Sequence, residues 1–233
     1  MASSTQIFEY REEPRASAQI YLQPLAPPSI LGLYGFAGAT FMVAAHMAGW
    51  FGNSATDLYL APFAALFGGV AQFSAGMWAI KARDGVASAM HGMWGAFWIA
   101  FGLLQFAYMH GTLATPVGGF PAMGYWFVVL AAITWVGAVG ASAENKALFS
   151  VLLALAAGST CAAIYNFTGV LWLNVLAGYL FLISAAVAWY TASALMLEGA
   201  FKRPVLNVGK TELVRQEPLV MPGRGEPGVI RGQ

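Results

Sequence analysis

The residues of this sequence that could do chemistry lie inside long apolar stretches and carry no fixed charge. They are imidazoles, amides, hydroxyls and phenols: Tyr34, Thr40, His46, Gln72, Ser74, His91, Ser159, Thr160, Tyr165, Asn166, Asn174, Tyr190 and Thr191. Such groups can replace part of the hydration shell of a small solute without a charge that would trap it. The set therefore suits contact with a small polar solute.

The alternative role for each of these side chains is a structural hydrogen bond, worth roughly 0.5 to 2 kcal/mol between membrane helices. We assign most of the Ser and Thr residues to that role. Gln72 and Asn166 fit either role, because an amide has more donors and acceptors to satisfy. His46 is either a proton acceptor or a neutral donor, since histidine titrates near neutral pH. We assign His91 to the neutral role at the membrane interface.

The composition indicates a membrane protein. Of the 233 residues, 59% are apolar and only 9% are charged, whereas a soluble domain carries about 25% charged residues. The 11 basic and 10 acidic side chains leave a net charge of +1, which provides no basic surface for nucleic acid. These values exclude a soluble enzyme, a nucleic-acid-binding protein and a disordered tail protein.

Six apolar stretches are long enough to cross a bilayer as helices, at ~1.5 Å per residue over ~30 Å. The predicted spans are residues 30–51, 58–80, 86–109, 122–141, 147–167 and 170–197. Their continuous Ala-, Leu- and Gly-rich runs favour helices, because barrel strands would alternate with a period of two. The sequence predicts an all-α integral membrane protein with three parts: an arm at 1–29, a six-helix domain at 30–197 and a polar, flexible tail at 198–233.

The basic residues predict the orientation of the chain. Every Lys and Arg lies in the arm, in the loop with Lys81 and Arg83, in the loop with Lys146, or from Lys202 onward. With six crossings these segments all fall on one face, and the positive-inside rule makes that face cytoplasmic. We expect a multi-pass protein of the cell (inner) membrane with both termini in the cytoplasm.

No Asp, Glu, Lys or Arg lies inside the six predicted spans. Pumps and many proton-coupled carriers depend on buried carboxylates, so we expect no fixed carboxylate relay here. A retinal Schiff base needs a lysine within a helix, and intramembrane proteolysis needs a nucleophile with a base or paired aspartates. One cysteine and three histidines predict no metal site. We therefore expect neither enzyme activity nor a cofactor.

A series of short motifs resembles one family. The first span carries LGLYGF at 31–36 and then His46, the second carries GGVAQ at 68–72, the fifth ends NFTG at 166–169, and FKR follows at 201–203. In their order and spacing, over residues 27–209, these resemble the acetate uptake transporter family, the succinate/acetate permeases. The chain departs from the family by having PPSILGL at 27–33 in place of Asn-Pro-Ala-Pro-Leu-Gly-Leu, and Ala79 where a Glu is frequent.

The resemblance implies six helices around a narrow path through each protomer, assembly as a homo-hexamer, and uptake of small monocarboxylates such as acetate, in some members also succinate. It places an aromatic and aliphatic pore constriction at Phe36, Trp94 and Leu155. The family usually has Tyr at the position of Trp94, so this chain has a bulkier constriction without the phenolic hydroxyl.

The uncharged interior predicts that a small carboxylic acid crosses protonated or with a co-moving proton. A bare carboxylate would lose tens of kcal/mol of solvation in an apolar path, whereas protonating acetic acid (pKa ~4.8) at pH 7 costs only about 3 kcal/mol. We predict a transporter or channel for acetate, and secondarily succinate. The predicted polar residues of its path are Tyr34, Thr40, His46, Gln72 and Asn166. The alternatives are a pore for urea, an amide or ammonia, and a non-transporting membrane scaffold or sensor.

Overall fold

The computed structural model describes residues 26–211. This part of the chain contains six helices that are long and apolar enough to cross a bilayer: α1 Pro28–Met47, α2 Thr56–Lys81, α3 Gly85–Met109, α4 Pro121–Ser142, α5 Lys146–Thr168 and α6 Leu171–Phe201. The predicted all-α membrane class is confirmed, and each helix end lies within four residues of its predicted position. We call the side where α1 begins and α6 ends the terminal side, and the opposite side the distal side.

The first helix begins and ends earlier than predicted. Pro28 occupies its first turn. The backbone N–H that proline lacks would have no partner within the helix at this position, and the fixed φ of proline suits a helix. The apolar Trp50 and Phe51 suggested continuation to residue 51, but the helix ends at Met47. Gly49 then has a φ of 78°, a left-handed conformation that ends helices. Trp50 and Phe51 consequently lie exposed in the loop at 48–55, which we call the distal loop.

The second helix contains a wide turn that the sequence pattern did not predict. Its residues are α-helical at Thr56–Phe63, π-helical at Ala64–Ala71 and α-helical again at Gln72–Lys81. Pro62 lies just before the π-helical part, and proline cannot donate the backbone hydrogen bond of a regular α-helix. A methyl group added at Gly35 of α1 would overlap the Phe67 carbonyl, so α1 packs directly on the π-helical part.

Glycines bring α2 and α3 into backbone contact. A methyl group at Gly76 would lie 2.6 Å from the backbone nitrogen of Gly92, and one at Gly95 would lie 2.6 Å from the nitrogen of Phe73. Small residues permit this approach in membranes, where van der Waals contact replaces the hydrophobic driving force. The resulting close contact sets the position of the α3 side chains that face the centre of the bundle.

The segment after α6 folds back onto the loop between α4 and α5. The backbone N–H groups of Lys146 and Ala147 donate to the Gly209 and Val208 carbonyls at 3.0 and 3.1 Å, and the N–H of Thr211 donates to the Glu144 carbonyl at 3.0 Å. These bonds satisfy donors at the start of α5 that have no partner within the helix. The polar tail predicted from residue 198 is therefore helical to Phe201 and packed at 204–211; residues 1–25 and 212–233 lie outside the described range.

Glu144 gives this loop a predicted pH dependence. Burial, with Asp84 nearby, raises its pKa from 4.5 to about 7. A raised pKa means that the folded protein binds the proton more tightly than the unfolded chain, so stability falls as pH rises from about 4.5 to 7. We expect the melting temperature in detergent to fall over this range, and Glu144→Gln to weaken the dependence. Glu198→Gln, at an exposed ion pair with Lys210, serves as control; identical profiles for Glu144→Gln and wild type would contradict the assignment.

Candidate functional site

Three residues from alternate helices meet at the centre of the bundle. Helices α1, α3 and α5 all begin on the terminal side; Phe36 lies 8 residues beyond Pro28, Trp94 lies 9 beyond Gly85, and Leu155 lies 9 beyond Lys146. At ~1.5 Å per residue, all three sit roughly 12 to 14 Å into the bundle. Only 2%, 3% and 2% of their surfaces are exposed. We call Phe36, Trp94 and Leu155 the neck.

The neck lies between two cavities. The distal vestibule has a volume of about 530 Å³, and the terminal vestibule is much smaller, at about 20 Å³. Trp94 and Leu155 line both, and Phe36 lines the terminal one. The terminal vestibule is close to the volume that a single water molecule needs. The neck residues therefore form the boundary between a wide space and a narrow one.

The polar group of Trp94 points into the bundle wall. Its Nε1 donates to Thr134 Oγ1 on α4 at 3.0 Å, and that hydroxyl donates to the Leu130 carbonyl at 2.6 Å. The Phe36 ring meets the indole edge-on, with centroids 6.3 Å apart. The neck thus has an apolar lining, and the indole N–H that replaces the expected phenol is already occupied. Sequence reasoning missed Thr134; its only signal was a hydroxyl within an otherwise apolar span.

The distal vestibule contains three of the predicted path residues, Thr40, His46 and Asn166. Thr40 Oγ1 is buried and has no hydrogen-bond partner within residues 26–211; the same is true of Trp98 Nε1, which lines this space as well. Asn166 is instead hydrogen-bonded at both polar atoms of its amide: its Nδ2 donates to the Ala162 carbonyl at 2.8 Å, and its Oδ1 accepts from the Phe120 N–H at 3.1 Å. Asn166 therefore holds the start of α4 in place.

The terminal vestibule contains Gln72, as predicted for the path, together with His91. Both side chains are buried, and Gln72 Oε1 and His91 Nδ1 have no hydrogen-bond partner among the described residues. The sequence suggested an interfacial position for His91, but α3 begins at Gly85, so the ring lies about 9 Å into the bundle. It packs on Gly32, where an added methyl group would lie 2.6 Å from the ring.

Tyr34, also predicted for the path, lines neither vestibule. Its hydroxyl lies 2.9 Å from Ser193 Oγ on α6, so the phenol joins two helices away from the neck. Several hydroxyls likewise bond to backbone carbonyls one turn earlier, among them Ser159, Thr160 and Thr191. These bonds agree with the structural role that the sequence suggested for most Ser and Thr residues.

The predicted spans hold no acidic residue, but the observed helices extend beyond them and include Asp57 in α2 and Glu198 in α6. Helix α2 begins at Thr56, two residues before the predicted span, and so includes Asp57 in its first turn. The partial positive charge of a helix N-terminus favours a carboxylate there. Asp57 lines the distal vestibule, where its Oδ1 lies 3.8 Å from His46 Nε2. Within residues 26–211 no cluster of three or more His, Cys, Asp or Glu residues could hold a metal ion.

The sequence pattern of the GPR1/FUN34/yaaH family matches residues 8–207. The chain belongs to this family. The resemblance to succinate/acetate permeases is confirmed, because the Escherichia coli K12 relative is the succinate-acetate/proton symporter SatP. That relative is 28% identical over 189 residues, which cover 80% of this chain and 97% of SatP.

Two further comparisons match this GPR1/FUN34/yaaH member to proteins named for transport. The ammonia transport outward protein 2 of Saccharomyces cerevisiae is 28% identical over 174 residues, 72% of this chain and 61% of the yeast protein. The chain thus matches less than two thirds of that relative's length. The solved structure of the bacterial acetate channel SatP superposes with a TM-score of 0.71 at 26% identity, covering 80% of this chain and 100% of SatP.

Proposed function

We propose that this protein carries small carboxylates across a membrane, the monocarboxylate acetate first and the dicarboxylate succinate second. The path runs from the distal vestibule through Phe36, Trp94 and Leu155 to the terminal vestibule. The observation that carries the proposal is an apolar neck joining two spaces lined by buried polar atoms, Thr40 Oγ1 on one side and Gln72 Oε1 on the other. SatP, named as a symporter and as an acetate channel, supports the same solute class.

The apolar neck favours the neutral form of the acid. Trp94 Nε1 is bonded to Thr134, so the indole offers no donor to a carboxylate at the narrowest point. A carboxylate without donors would lose most of its solvation there, whereas the neutral acid loses far less. We infer that the solute passes the neck protonated, so that one proton moves with each monocarboxylate.

The test is flux through purified protein in vesicles. We expect labelled acetate uptake to rise as both faces are brought from about pH 8 to pH 5, because the undissociated fraction of an acid with pKa ~4.8 rises steeply over this range. An imposed proton gradient should collapse faster when acetate is present. Protein-free vesicles measure the leak of acetic acid through lipid. Protein-dependent flux that is constant over this range and leaves the gradient intact would refute proton co-movement.

Ammonia is the second candidate solute. The yeast relative named for outward ammonia transport favours it, and the same neck would pass a small neutral molecule. Competition separates the two functions: an acetate path is blocked by other short acids, whereas an ammonia path is indifferent to them. The acetate and the ammonia proposals both place the solute in the neck. Both make this chain a transport protein and not a scaffold or an enzyme.

We further propose that the terminal side faces the cytoplasm of a cell (inner) membrane and that the protein is a homo-hexamer. The basic residues Lys81, Arg83, Lys146 and Lys202 flank the terminal ends of the helices, which supports this orientation by the positive-inside rule. Large apolar side chains on α2, including Phe63, Leu66 and Phe67, are exposed in the single chain and suit contact with lipid or a second protomer. Labelling of a cysteine introduced at Arg83, and the mass of the detergent-solubilised protein, test these two points.

A further inference from the structure

One nitrogen of the His46 ring is hydrogen-bonded to the backbone. His46 Nδ1 lies 3.0 Å from the carbonyl oxygen of Phe51. A carbonyl can only accept a hydrogen bond, so Nδ1 carries the hydrogen. In the neutral ring Nε2 therefore holds the lone pair, and Nε2 is the atom that gains or loses a proton.

Contacts within the distal loop hold the His46 ring in this orientation. Gly52 has a φ of 104°, and a methyl group there would lie 2.6 Å from His46 Nδ1. The Asn53 N–H donates to Thr56 Oγ1 at 2.8 Å, and the Ala55 N–H donates to Asn53 Oδ1 at 2.9 Å. These bonds close the loop around the imidazole, with glycine required where the chain passes the ring.

The other nitrogen faces a carboxylate across a gap. His46 Nε2 lies 3.8 Å from Asp57 Oδ1, which is too long for a hydrogen bond but close enough for the charges to interact. Asp57 Oδ1 is buried without a hydrogen-bond partner in the described part of the chain. An imidazolium at His46 would thus be stabilised by Asp57 while its Nε2 proton stays free for another acceptor.

The distal vestibule has few other groups that could titrate against this pair. Helix α5 contributes the phenol of Tyr165 to its lining. The lining residues from α3, α4 and α6, within the described range, include no ionisable side chain. Histidine is the side-chain type that ordinarily titrates near neutral pH, and His46 is the one histidine among the described residues that line this space.

We propose that His46 is the proton donor to a carboxylate in the distal vestibule, with Asp57 as its positioning partner; this rests on the proposed acetate function. In the step, the Nε2–H bond of the imidazolium breaks and the proton bonds to a carboxylate oxygen. The products are the neutral acid and a neutral imidazole that keeps its hydrogen on Nδ1. A proton from bulk water then restores the imidazolium, and the neutral acid continues to the neck. Transport in the opposite direction reverses the step.

The direct test uses His46→Asn, whose amide can still donate toward the Phe51 carbonyl but cannot titrate. Exchange of labelled acetate is measured in vesicles with equal pH and acetate on both sides, which makes protein orientation irrelevant. The undissociated fraction of acetic acid falls about 60-fold from pH 5 to pH 7. We expect the protein-dependent exchange of His46→Asn to fall by about that factor, and that of wild type to fall by less than about tenfold.

His110→Asn is the matched control, because His110 lies exposed at the distal end of α3, where its ring meets that of Phe106 at a tilt of 58° with centroids 4.3 Å apart. It should keep the wild-type profile. The proposal is overturned if His46→Asn keeps the wild-type profile too, or if it loses the same fraction of exchange at every pH, which would be a packing effect. Wild-type exchange no greater than that of protein-free vesicles would instead refute the proposed function, and the role of His46 with it.

Asp57→Asn provides a second test that leaves the His46 ring intact. Without the negative charge of Asp57, the His46 imidazolium loses stabilisation. We therefore expect the midpoint of the pH profile of acetate exchange to lie at lower pH in Asp57→Asn than in wild type. A merely structural role of Asp57 would lower the amount of folded protein and leave the midpoint in place, and that result would overturn its assignment as the positioning partner.

Discussion

Replacing Trp94 with alanine is expected to raise the ratio of succinate to acetate transport by about tenfold or more, since differences in pocket size commonly discriminate by that factor. Trp94 is the largest neck residue, and its ring meets Phe36 edge-on at 6.3 Å between centroids. Its removal opens the boundary between the two vestibules to a longer dicarboxylic acid. Competition between labelled acetate and unlabelled succinate, normalised to folded protein, measures the ratio.

Trp98→Ala is the control for the loss of an indole from the core. Trp98 is also buried, one turn further along α3, but it lines the distal vestibule and not the terminal one. We expect this variant to lower stability while leaving the solute ratio near that of wild type. If the two variants change the folded yield alike and neither changes the ratio, then Trp94 has a packing role and the neck does not select solutes.

Substituting Gly76 with alanine is expected to destabilise the protein by about 1 to 3 kcal/mol, the usual effect of overpacking a core. The new methyl group would lie 2.6 Å from the nitrogen and 2.9 Å from the Cα of Gly92. Both atoms belong to the α3 backbone, which cannot rotate aside as a long side chain can. The displaced helix carries His91 and Trp94, so we expect acetate flux to fall together with the melting temperature.

Gly199→Ala is the matched control, because Gly199 also lies within a helix but has no atom within 4 Å of an added methyl group among the described residues. Alanine is the better helix former by about 1 kcal/mol, so this variant should be as stable as wild type or more stable. Equal melting temperatures for the two variants would show that the contact between α2 and α3 is looser than its geometry implies.

The number, length and class of the helices were predictable from the sequence, because the length and hydropathy of a segment by themselves decide whether it can span a bilayer. Even the equal depth of Phe36, Trp94 and Leu155 follows from counting residues along α1, α3 and α5, once the family resemblance has singled them out. What counting cannot provide is the direction in which each side chain points. Membrane helices are apolar on every face, since lipid and core are equally apolar, so no polar stripe marks the inner side.

The rotation of the helices and the pairing of distant residues were therefore decided only by the tertiary structure. Tyr34 was expected in the path, yet its partner Ser193 lies 159 residues away on α6, and this pairing turns it from the neck. His91 and Asp57 reach the vestibules because α3 and α2 begin where backbone geometry places them. The sequence alone determined a six-helix membrane protein with uncharged polar groups. Packing determined which of those groups line the two vestibules, because close contact is made between residues that are far apart along the chain.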